Sequence, residues 1–384
     1  MRTFLPKVML LLLIGLGTLP FIGSGTPNYI YKDQVAVLMY HHLSDTAKSN
    51  VTITPKLFRD QLTYLQQQNY HFISLRQFEH YMAGGAVPDN AVLVTFDDGY
   101  KSFHDIGYPI LKDLGIPAVN FIITNYAEHP DSGNIPYASM DELKEMTRVR
   151  SEGIDFQCHS DQLHGEADGK PLLTTLLTRD GHTETAAEHD ERILSDTRAC
   201  ISKLRTIYQT RADAYAYPFG TYDAEASSLL SRSGIRYAFT VVSEMATRDD
   251  DPLQIPRITA GNPSISPEEL NRSILRKAVD LKQTFDYVPF RDTVGQVGGT
   301  MIQDKDETIN FYYHNHHWKT RVDSSTVTLG DQMLTLSQPV IKKGRKAQIQ
   351  LDDLQKVMGI RIVYNPVLHT FSERLTPSRD AVRR

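Results

Sequence analysis

Short apolar runs alternate with amphipathic segments through most of the chain. The runs have the composition of buried strands, and the segments between them place apolar residues at helical spacing. Repeated strand and helix order indicates an α/β fold in which a parallel sheet has helices packed outside it. About seven such units favour a distorted parallel (β/α) barrel over an open sheet. The predicted strands are VAVLMY (35–40), HFISL (71–75), AVLVTF (91–96), AVNFII (118–123), IDFQC (154–158), DAYAY (213–217) and RYAFTVV (236–242).

Helices are expected between these strands because the intervening segments carry helical periodicity and end in breakers. Gly115 and Gly234 each follow a predicted helix and precede the next strand, where glycine commonly ends a helix. The long polar segment between His164 and Ala186 follows no such period, and we interpret it as an active-site loop or lid. The predicted helices lie near 55–67, 76–82, 103–113, 139–150, 186–208 and 223–232.

The pattern changes near Tyr287 to short alternating strands with one short helix between them. This change predicts a separate small α+β domain at the C-terminus. The expected organisation is therefore an N-terminal segment at 1–25, a barrel domain at 33–285, a small domain at 287–375 and a disordered tail at 376–384.

The N-terminus has the features of an export signal. Met1, Arg2 and Lys7 are followed by the apolar run VMLLLLIGLGTLPFIG, which matches the charged and hydrophobic regions of a secretory signal. No Ala-x-Ala site follows, so the segment could also remain as a short uncleaved anchor. We expect a secreted or cell-surface protein that touches the membrane only through this segment.

Composition and charge narrow the choice of partners. The chain has 384 residues and a formal net charge of -5, so it has no cationic field that would attract a phosphate backbone, and nucleic acid is not an expected partner. Its two cysteines, Cys158 and Cys200, are too few for a disulfide framework, and a large core must hold the fold. The sequence leaves open whether the two form a bridge.

Two adjacent carboxylates end a predicted strand in the stretch VLVTFDDGY (92–100). Side chains alternate across a strand, so Asp97 and Asp98 can serve one site only if the backbone bends, and Gly99 permits that bend. Taken alone, the stretch is better explained by an ordinary Asp-Gly turn at the end of a strand.

Three more polar clusters follow predicted strands: YHH (40–42), CHSDQLH (158–164) and AYPFG (216–220). The ends of parallel strands share one rim, so this rim gathers carboxylates and imidazoles, which are metal ligands. A regular helix or strand would separate His159 from His164, so a loop must bring them to one ion. Together with an aspartate they would form a triad that leaves metal positions open for water and substrate.

These motifs resemble the polysaccharide deacetylase family, carbohydrate esterase family 4. TFDDGY is similar to the first motif of that family, HSDQLH to its metal-histidine motif and AYPFG to its third, over roughly residues 33–265. The histidine spacing and the early YHH resemble the poly-β-1,6-N-acetylglucosamine deacetylase branch more than the enzymes acting on chitin or peptidoglycan. The C-terminal segment resembles the copper amine oxidase N-terminal-like domain of secreted bacterial wall proteins, which implies a cell-wall contact.

The resemblance implies a role for each residue of the rim. Asp97 would be the general base and His41 the general acid, with His42 as a competing acid. Most of the family carries an arginine where this chain has Ala216, so the group that orients Asp97 is uncertain. Arg257 is one candidate for that group, and a surface position for Arg257 is equally consistent with the sequence. The implied metal ligands are Asp98, His159 and His164, and the implied substrate or oxyanion residues are Tyr217, Pro218 and Phe219, the last through its backbone N–H.

The chemistry of these residue types fits amide hydrolysis. A divalent cation lowers the pKa of its water to about 7, and a free carboxylate can take the proton as that water attacks. A histidine can then protonate the departing amine near neutral pH. Mixed imidazole and carboxylate ligation favours Zn²⁺, while Co²⁺, Ni²⁺ and Fe²⁺ remain possible.

The expected function is therefore that of a secreted, metal-dependent hydrolase that removes N-acetyl groups from a polysaccharide containing N-acetylglucosamine. Two alternatives remain at this point. One is a deacetylase of peptidoglycan or chitin oligomers, and the other is a non-catalytic, glycan-binding wall protein.

Overall fold

The computed structural model describes residues 30–148, 153–207 and 211–376. A single sheet organises the part before residue 280. The strands of this part are β1 (Val35–Tyr40), β2 (His42–Leu43), β3 (Thr52–Ile53), β4 (His71–Phe72), β5 (Ala91–Phe96), β6 (Ala118–Ile123), β7 (Ile154–Ser160), β8 (Glu166–Ala167), β9 (Lys170–Pro171), β10 (Thr178–Arg179), β11 (His182–Thr183), β12 (Ala214–Ala216), β13 (Tyr237–Phe239) and β14 (Ile258–Thr259).

The main sheet is parallel, with the order β13-β12-β7-β6-β5-β1-β14, and β4 pairs beside β5. All the strands predicted from the sequence are present, several of them shorter than expected. The chain after β13 closes the curl, because Ile255 pairs with Phe239 of β13 while Ile258 pairs with Leu38 of β1. The predicted distorted (β/α) barrel is confirmed.

Alternate residues of the strands belong to different hydrophobic cores. Val35 and Val37 of β1 pack inside the curled sheet with Leu93, whereas Ala36 and Leu38 pack against the surrounding helices. A residue at the end of β5 therefore points inward if it continues the series of Leu93. This alternation decides which of the two adjacent aspartates enters the barrel.

Helices cover the outside of the sheet, and most lie where the periodicity predicts them. A π-helical turn at Phe103–Gly107 precedes α3, and the sequence pattern did not indicate α4 or α8. The helices are α1 (Pro55–Gln67), α2 (Leu75–Met82), α3 (Tyr108–Leu114), α4 (Thr124–Glu128), α5 (Met140–Met146), α6 (Ala186–Arg205), α7 (Ala224–Arg232) and α8 (Pro267–Lys277).

The C-terminal part has its own hydrophobic core, which includes Phe290, Phe311 and Trp318. It contains two helices where the sequence suggested one, because α9 follows its first strand directly. Its elements are β15 (Tyr287–Pro289), α9 (Phe290–Gln296), β16 (Thr300–Gln303), β17 (Thr308–Tyr313), β18 (His316–Arg321), β19 (Thr326–Leu329), β20 (Gln332–Thr335), β21 (Ile341–Lys343), β22 (Lys346–Gln350), α10 (Leu351–Met358), β23 (Arg361–Asn365) and β24 (Thr370–Arg374).

Polar contacts hold this C-terminal part against the barrel. Arg374 of β24 is buried and donates to Asp250 at 2.6 and 2.8 Å. Asn365 donates through Nδ2 to the carbonyl oxygen of Leu275 at 3.0 Å, at the end of α8. A buried ion pair is costly to separate, so the two parts are docked rather than joined by a free linker.

Two predictions fall wholly or partly outside the described residues. The N-terminal segment 1–25 is one of them, and the predicted tail is described only at Thr376, which bonds to Glu244. Within the described ranges, no helix combines the length and apolar character needed to cross a bilayer.

The sequence left open whether the two cysteines form a bridge. In the structure Cys158 and Cys200 form a disulfide that links β7 to α6.

Candidate active site

Asp97 extends the inward-facing side of β5 into the barrel, where Arg257 binds it. The guanidinium of Arg257 donates to Asp97 Oδ1 at 2.7 Å and to Oδ2 at 2.8 Å. Burial opposes ionisation of Asp97, but the charge of Arg257 outweighs it, and the pKa of Asp97 lies below its usual value. The sequence left a surface position open for Arg257. That alternative is wrong, because its side chain is 0% exposed.

The barrel itself places Arg257 beside Asp97. Arg257 lies in the segment that closes the sheet between β13 and β14, where its Nε donates to the carbonyl oxygen of Thr240 at 2.9 Å. Its Nη1 also reaches Thr95 Oγ1 at 3.3 Å. Because these contacts fix the guanidinium plane, both oxygens of Asp97 are held in one orientation.

Asp98 would face the outer helices if β5 continued, and a backbone bend turns it to the mouth instead. The bend uses left-handed conformations at Asp98 itself (φ 73°) and at Gly99 (φ 78°), so it begins one residue earlier than the sequence suggested. A Cβ on residue 99 would lie only 3.0 Å from Ile122, a further reason for glycine there. The two adjacent aspartates thereby reach one site.

The carboxylate of Asp98 faces both histidines of the HSDQLH stretch. Asp98 Oδ1 lies 3.3 Å from His159 Nε2 and 3.2 Å from His164 Nε2. Burial opposes its charge, but its bonds to the two imidazoles hold the pKa of Asp98 well below the usual range. The structure therefore brings together the three residues that the sequence grouped as a metal triad.

These three residues fit a divalent cation. His159 Nδ1 lies 2.7 Å from the carbonyl oxygen of Ala216, which makes Nδ1 the protonated nitrogen and leaves the Nε2 lone pair facing Asp98. A lone pair directed at a carboxylate requires a proton or a cation between them. Ligand atoms at about 2.1 Å from a tetrahedral ion lie about 3.4 Å apart, close to the separations that Asp98 shows.

A buried polar network holds the loop between the two histidines. Asp196 of α6 accepts from the backbone N–H of Asp161 at 2.9 Å and from that of Gln162 at 2.6 Å. Lys203, also on α6, donates to Asp161 Oδ1 at 2.7 Å. The sequence analysis missed this support. Its one visible sign is a carboxylate on the apolar side of α6, three residues after the buried Ile193.

His41 and His42 follow β1 and have different surroundings. His41 Nε2 lies 3.8 Å from Asp97 Oδ2, and burial lowers its pKa although Asp97 and Asp98 act in the opposite direction. His42 Nδ1 instead lies 2.8 Å from Ser102 Oγ, and its ring packs edge-on against Tyr100. Of the two candidate acids, His41 is the one beside the proposed base.

The third motif contributes Phe219 to the mouth and keeps Tyr217 away from it. Phe219 is in the left-handed region (φ 58°) and is 49% exposed, and its ring packs at a tilt against the His164 ring, with the two centroids 4.6 Å apart. Pro218 begins this short turn and is buried. The hydroxyl of Tyr217 contacts Ser227 at 2.9 Å on the helix side, so its side chain does not reach the triad face.

Aromatic side chains beside Asp98 form a platform that the sequence analysis did not identify. Tyr100 stacks on Tyr137 at 5.2 Å, and Tyr137 stacks on Tyr126 at 4.3 Å. Burial and the neighbouring Asp98 raise the pKa of Tyr100, so its hydroxyl stays protonated at neutral pH. The three tyrosines belong to separate segments of the chain, which is why no local pattern groups them.

The predicted loop between His164 and Ala186 is built from two small hairpins, β8–β9 and β10–β11. Arg192 of α6 fastens it to the barrel. Its guanidinium donates to the carbonyl oxygens of Leu172 and Thr175 at 2.7 and 2.8 Å and to the carboxylate of Glu184 at 2.7 and 2.9 Å. The loop is thus held in a defined position beside the barrel, and it begins directly after His164, a candidate metal ligand.

The fold and the site together define a hydrolase class, a (β/α) barrel with a carboxylate and imidazole cluster at its mouth. Residues 84–238 match the family model described as polysaccharide deacetylase. The barrel of this chain is therefore similar to that family, and the enzyme class expected from the sequence, a hydrolase acting on amides, is confirmed.

Individual relatives agree with this assignment. The chain is 28% identical over 215 residues to the poly-β-1,6-N-acetyl-D-glucosamine N-deacetylase of Staphylococcus epidermidis, covering 56% of this chain and 69% of that protein. The Staphylococcus aureus enzyme of the same name is 25% identical over 221 residues, covering 57% and 71%.

Solved structures show the same barrel. IcaB from Ammonifex degensii superposes with a TM-score of 0.53 at 26% identity, covering 63% of this chain and 98% of that one. The deacetylase PplD of Streptococcus pyogenes has the same TM-score at 23% identity, with the same coverage, and supports the fold alone.

Proposed function

We propose that this protein is an exported, metal-dependent N-deacetylase of poly-β-1,6-N-acetylglucosamine. One observation carries the proposal. Asp97 is bound by Arg257 rather than by the histidines, so it stays outside the Asp98, His159 and His164 cluster and next to it. A carboxylate that is ionised, oriented and not needed as a ligand suits a general base.

Each residue then has one task in amide hydrolysis. A divalent ion held by Asp98, His159 and His164 would supply an acidified water and polarise the acetyl carbonyl. Asp97 accepts the proton of the attacking water, and Arg257 keeps the carboxylate oriented through that transfer. His41, 3.8 Å from Asp97, donates a proton to the departing amine.

Zinc is the proposed ion. Two imidazole nitrogens and one carboxylate oxygen form a donor set that zinc accepts in tetrahedral sites with an open position. Co²⁺, Ni²⁺ and Fe²⁺ share an affinity for these donors, so the choice depends on supply in the cell. The backbone carbonyl of Ala216 accepts from His159 Nδ1. A contact of this kind fixes the tautomer and the orientation of a histidine ligand and raises its basicity.

The substrate proposal rests on the relatives and on the platform beside the site. The staphylococcal relatives carry the name of poly-β-1,6-N-acetyl-D-glucosamine N-deacetylases. Sugar rings pack their apolar faces on aromatic side chains, and the stacked Tyr126, Tyr137 and Tyr100 offer such a surface next to Asp98. The half-exposed ring of Phe219 borders the other side, at His164.

The decisive experiment measures acetate release from β-1,6-linked and β-1,4-linked N-acetylglucosamine oligomers of equal length, with the metal-loaded protein. Faster release from the β-1,6 series supports the proposal. Preference for the β-1,4 series assigns the protein to peptidoglycan or chitin oligomers instead. Polymer binding without acetate release, by a protein that retains metal, means a glycan-binding wall protein.

Export and wall contact belong to the same proposal. The apolar N-terminal segment would direct the chain out of the cytoplasm. The chain would then meet the polymer outside the cell. The C-terminal part, docked by Arg374 and Asp250, would contact the wall while the barrel mouth stays free. Fractionation of cells that express the full chain, with and without residues 1–25, tests the first point.

A further inference from the structure

His189, Asp190 and Glu225 lie together in the helical layer outside the barrel sheet. His189 and Asp190 belong to the beginning of α6, and Glu225 belongs to the first turn of α7. One ligand atom from each of the three lies within 4.8 Å of the other two. The group therefore brings one imidazole and two carboxylates from two different helices to one point.

Buried atoms in this group lack partners among the described residues. His189 is 3% exposed, and neither of its ring nitrogens has a hydrogen-bond partner there. Asp190 Oδ1 is also buried and unpaired, while its Oδ2 accepts from Arg232 at 3.3 Å. Burying such atoms without a partner is unfavourable, so a ligand that binds one imidazole nitrogen of His189 together with Asp190 Oδ1 is favoured.

A second cluster of the same residue types lies at the surface and contains no buried polar atom without a partner among the described residues. His104, Asp105 and Glu142 are equally close to one another. There, Lys101 pairs with Glu142, and His104 Nδ1 already bonds to Asp105 Oδ1 at 2.7 Å. No side-chain atom of that cluster is buried without a partner, whereas the group on α6 and α7 leaves both ring nitrogens of His189 and Asp190 Oδ1 unpaired among the described residues, although Arg232 pairs with Asp190 Oδ2.

From these observations we infer that His189, Asp190 and Glu225 form a second site for a divalent transition-metal cation, distinct from the cluster at the barrel mouth. An imidazole nitrogen with two carboxylate oxygens is a donor set for zinc and its neighbours, and it is poor for magnesium, which prefers oxygen and water. Three protein donors leave at least one position for water.

The place of this site in the fold gives it a structural task. Helix α6 begins where the loop 165–185 ends, and α7 begins just after the Pro218–Gly220 turn that carries Phe219. A cation bound by the first turns of α6 and α7 would therefore connect the C-terminal ends of the two loops that border the mouth. The ion would stabilise the frame of the active site without taking part in the reaction.

The test counts zinc in the full chain after chelation, reloading and extensive dialysis. Glu225→Gln removes a ligand from an exposed position, so folding is expected to be unaffected, and zinc affinity at this site should fall at least about tenfold. Glu191→Gln, at an exposed glutamate of α6 next to Asp190, is the control and should retain all of the zinc. Asp98→Asn should lose the ion of the mouth and keep this one.

A second readout separates metal binding from folding. In the Asp98→Asn background, added zinc should raise the unfolding temperature, and the further change Glu225→Gln should abolish that rise. The inference is overturned if Glu225→Gln retains as much zinc as the wild type. It is equally overturned if Asp98→Asn alone leaves the protein without zinc.

Discussion

Arg257 binds both carboxylate oxygens of Asp97 inside the barrel, at 2.7 and 2.8 Å, and neither side chain is exposed by more than 3%. The pair connects two distant segments, the end of β5 and the segment just before β14 that closes the barrel. A buried pair of this kind adds little net stability, but it defines where its members point. Here it fixes the direction of the carboxylate that we propose as the base.

Replacing Arg257 by lysine should lower kcat on an N-acetylglucosamine oligomer by about 100-fold, because misplacing a reacting group by ~1 Å has an effect of that size. Lysine keeps the charge but cannot form two parallel bonds to a carboxylate. Zinc content should stay unchanged, since Arg257 contacts none of the three metal candidates in the described structure. Arg59→Lys, at an exposed pair with Asp113, serves as the control. A kcat equal to wild type would contradict a positioning role.

The two adjacent aspartates should respond differently to the same isosteric change. Asp97→Asn removes the proton acceptor and is expected to reduce kcat by about 10²–10⁴-fold while zinc is retained. Asp98→Asn removes a ligand and should lose both the zinc at the mouth and acetate release. Zinc content and turnover measured on the same samples distinguish the two. Equal zinc loss in both variants would mean that Asp97 is also a ligand.

The disulfide between Cys158 and Cys200 should stabilise the barrel by about 4 kcal/mol, the loop-entropy expectation for a closed loop of 42 residues. The double change Cys158→Ser and Cys200→Ser should lower the free energy of unfolding by that amount in denaturant titrations. A reducing agent should have the same effect on the wild type and none on the double variant. Equal stability of the oxidised and reduced wild type would show that the bridge is not formed in solution.

The loop between His164 and Ala186 should loosen in acid. The side-chain bond from Arg192 lowers the pKa of Glu184 to about 2. Since this lies below the pKa of an unfolded glutamate, about 4.3, the pair stabilises the loop fully above that pH and is lost as pH falls through about 2. Hydrogen exchange of residues 165–185 should therefore be slow at pH 6 and faster, relative to the intrinsic rate, near pH 2.

The variant Glu184→Gln provides the check for this assignment. It removes the charge at every pH, so its loop should exchange faster than that of the wild type at pH 6 and show a smaller dependence on pH. If hydrogen exchange of the wild-type loop, relative to the intrinsic rate, is the same at pH 6 and pH 2, the ion pair between Arg192 and Glu184 does not hold the loop in place.

The sequence predicted most of the barrel because its strands are buried on both faces and therefore appear as continuous apolar runs. It predicted less of the C-terminal part, where α9 follows its first strand with no connecting loop. It also left the cysteine bridge open, because the approach of Cys158 to Cys200 depends on how α6 packs on β7.

The sequence alone determined those parts of the site that lie in short, continuous motifs. Asp97, Asp98, His159 and His164 stand in short motifs at strand ends, and parallel strands bring such ends to one rim. Only the tertiary structure decided which aspartate binds Arg257, how Asp98 bends back to the histidines, and that three tyrosines stack beside them. The physical reason is that these relationships join residues far apart in the chain, and their distances are set by barrel closure and side-chain packing, which no local pattern encodes.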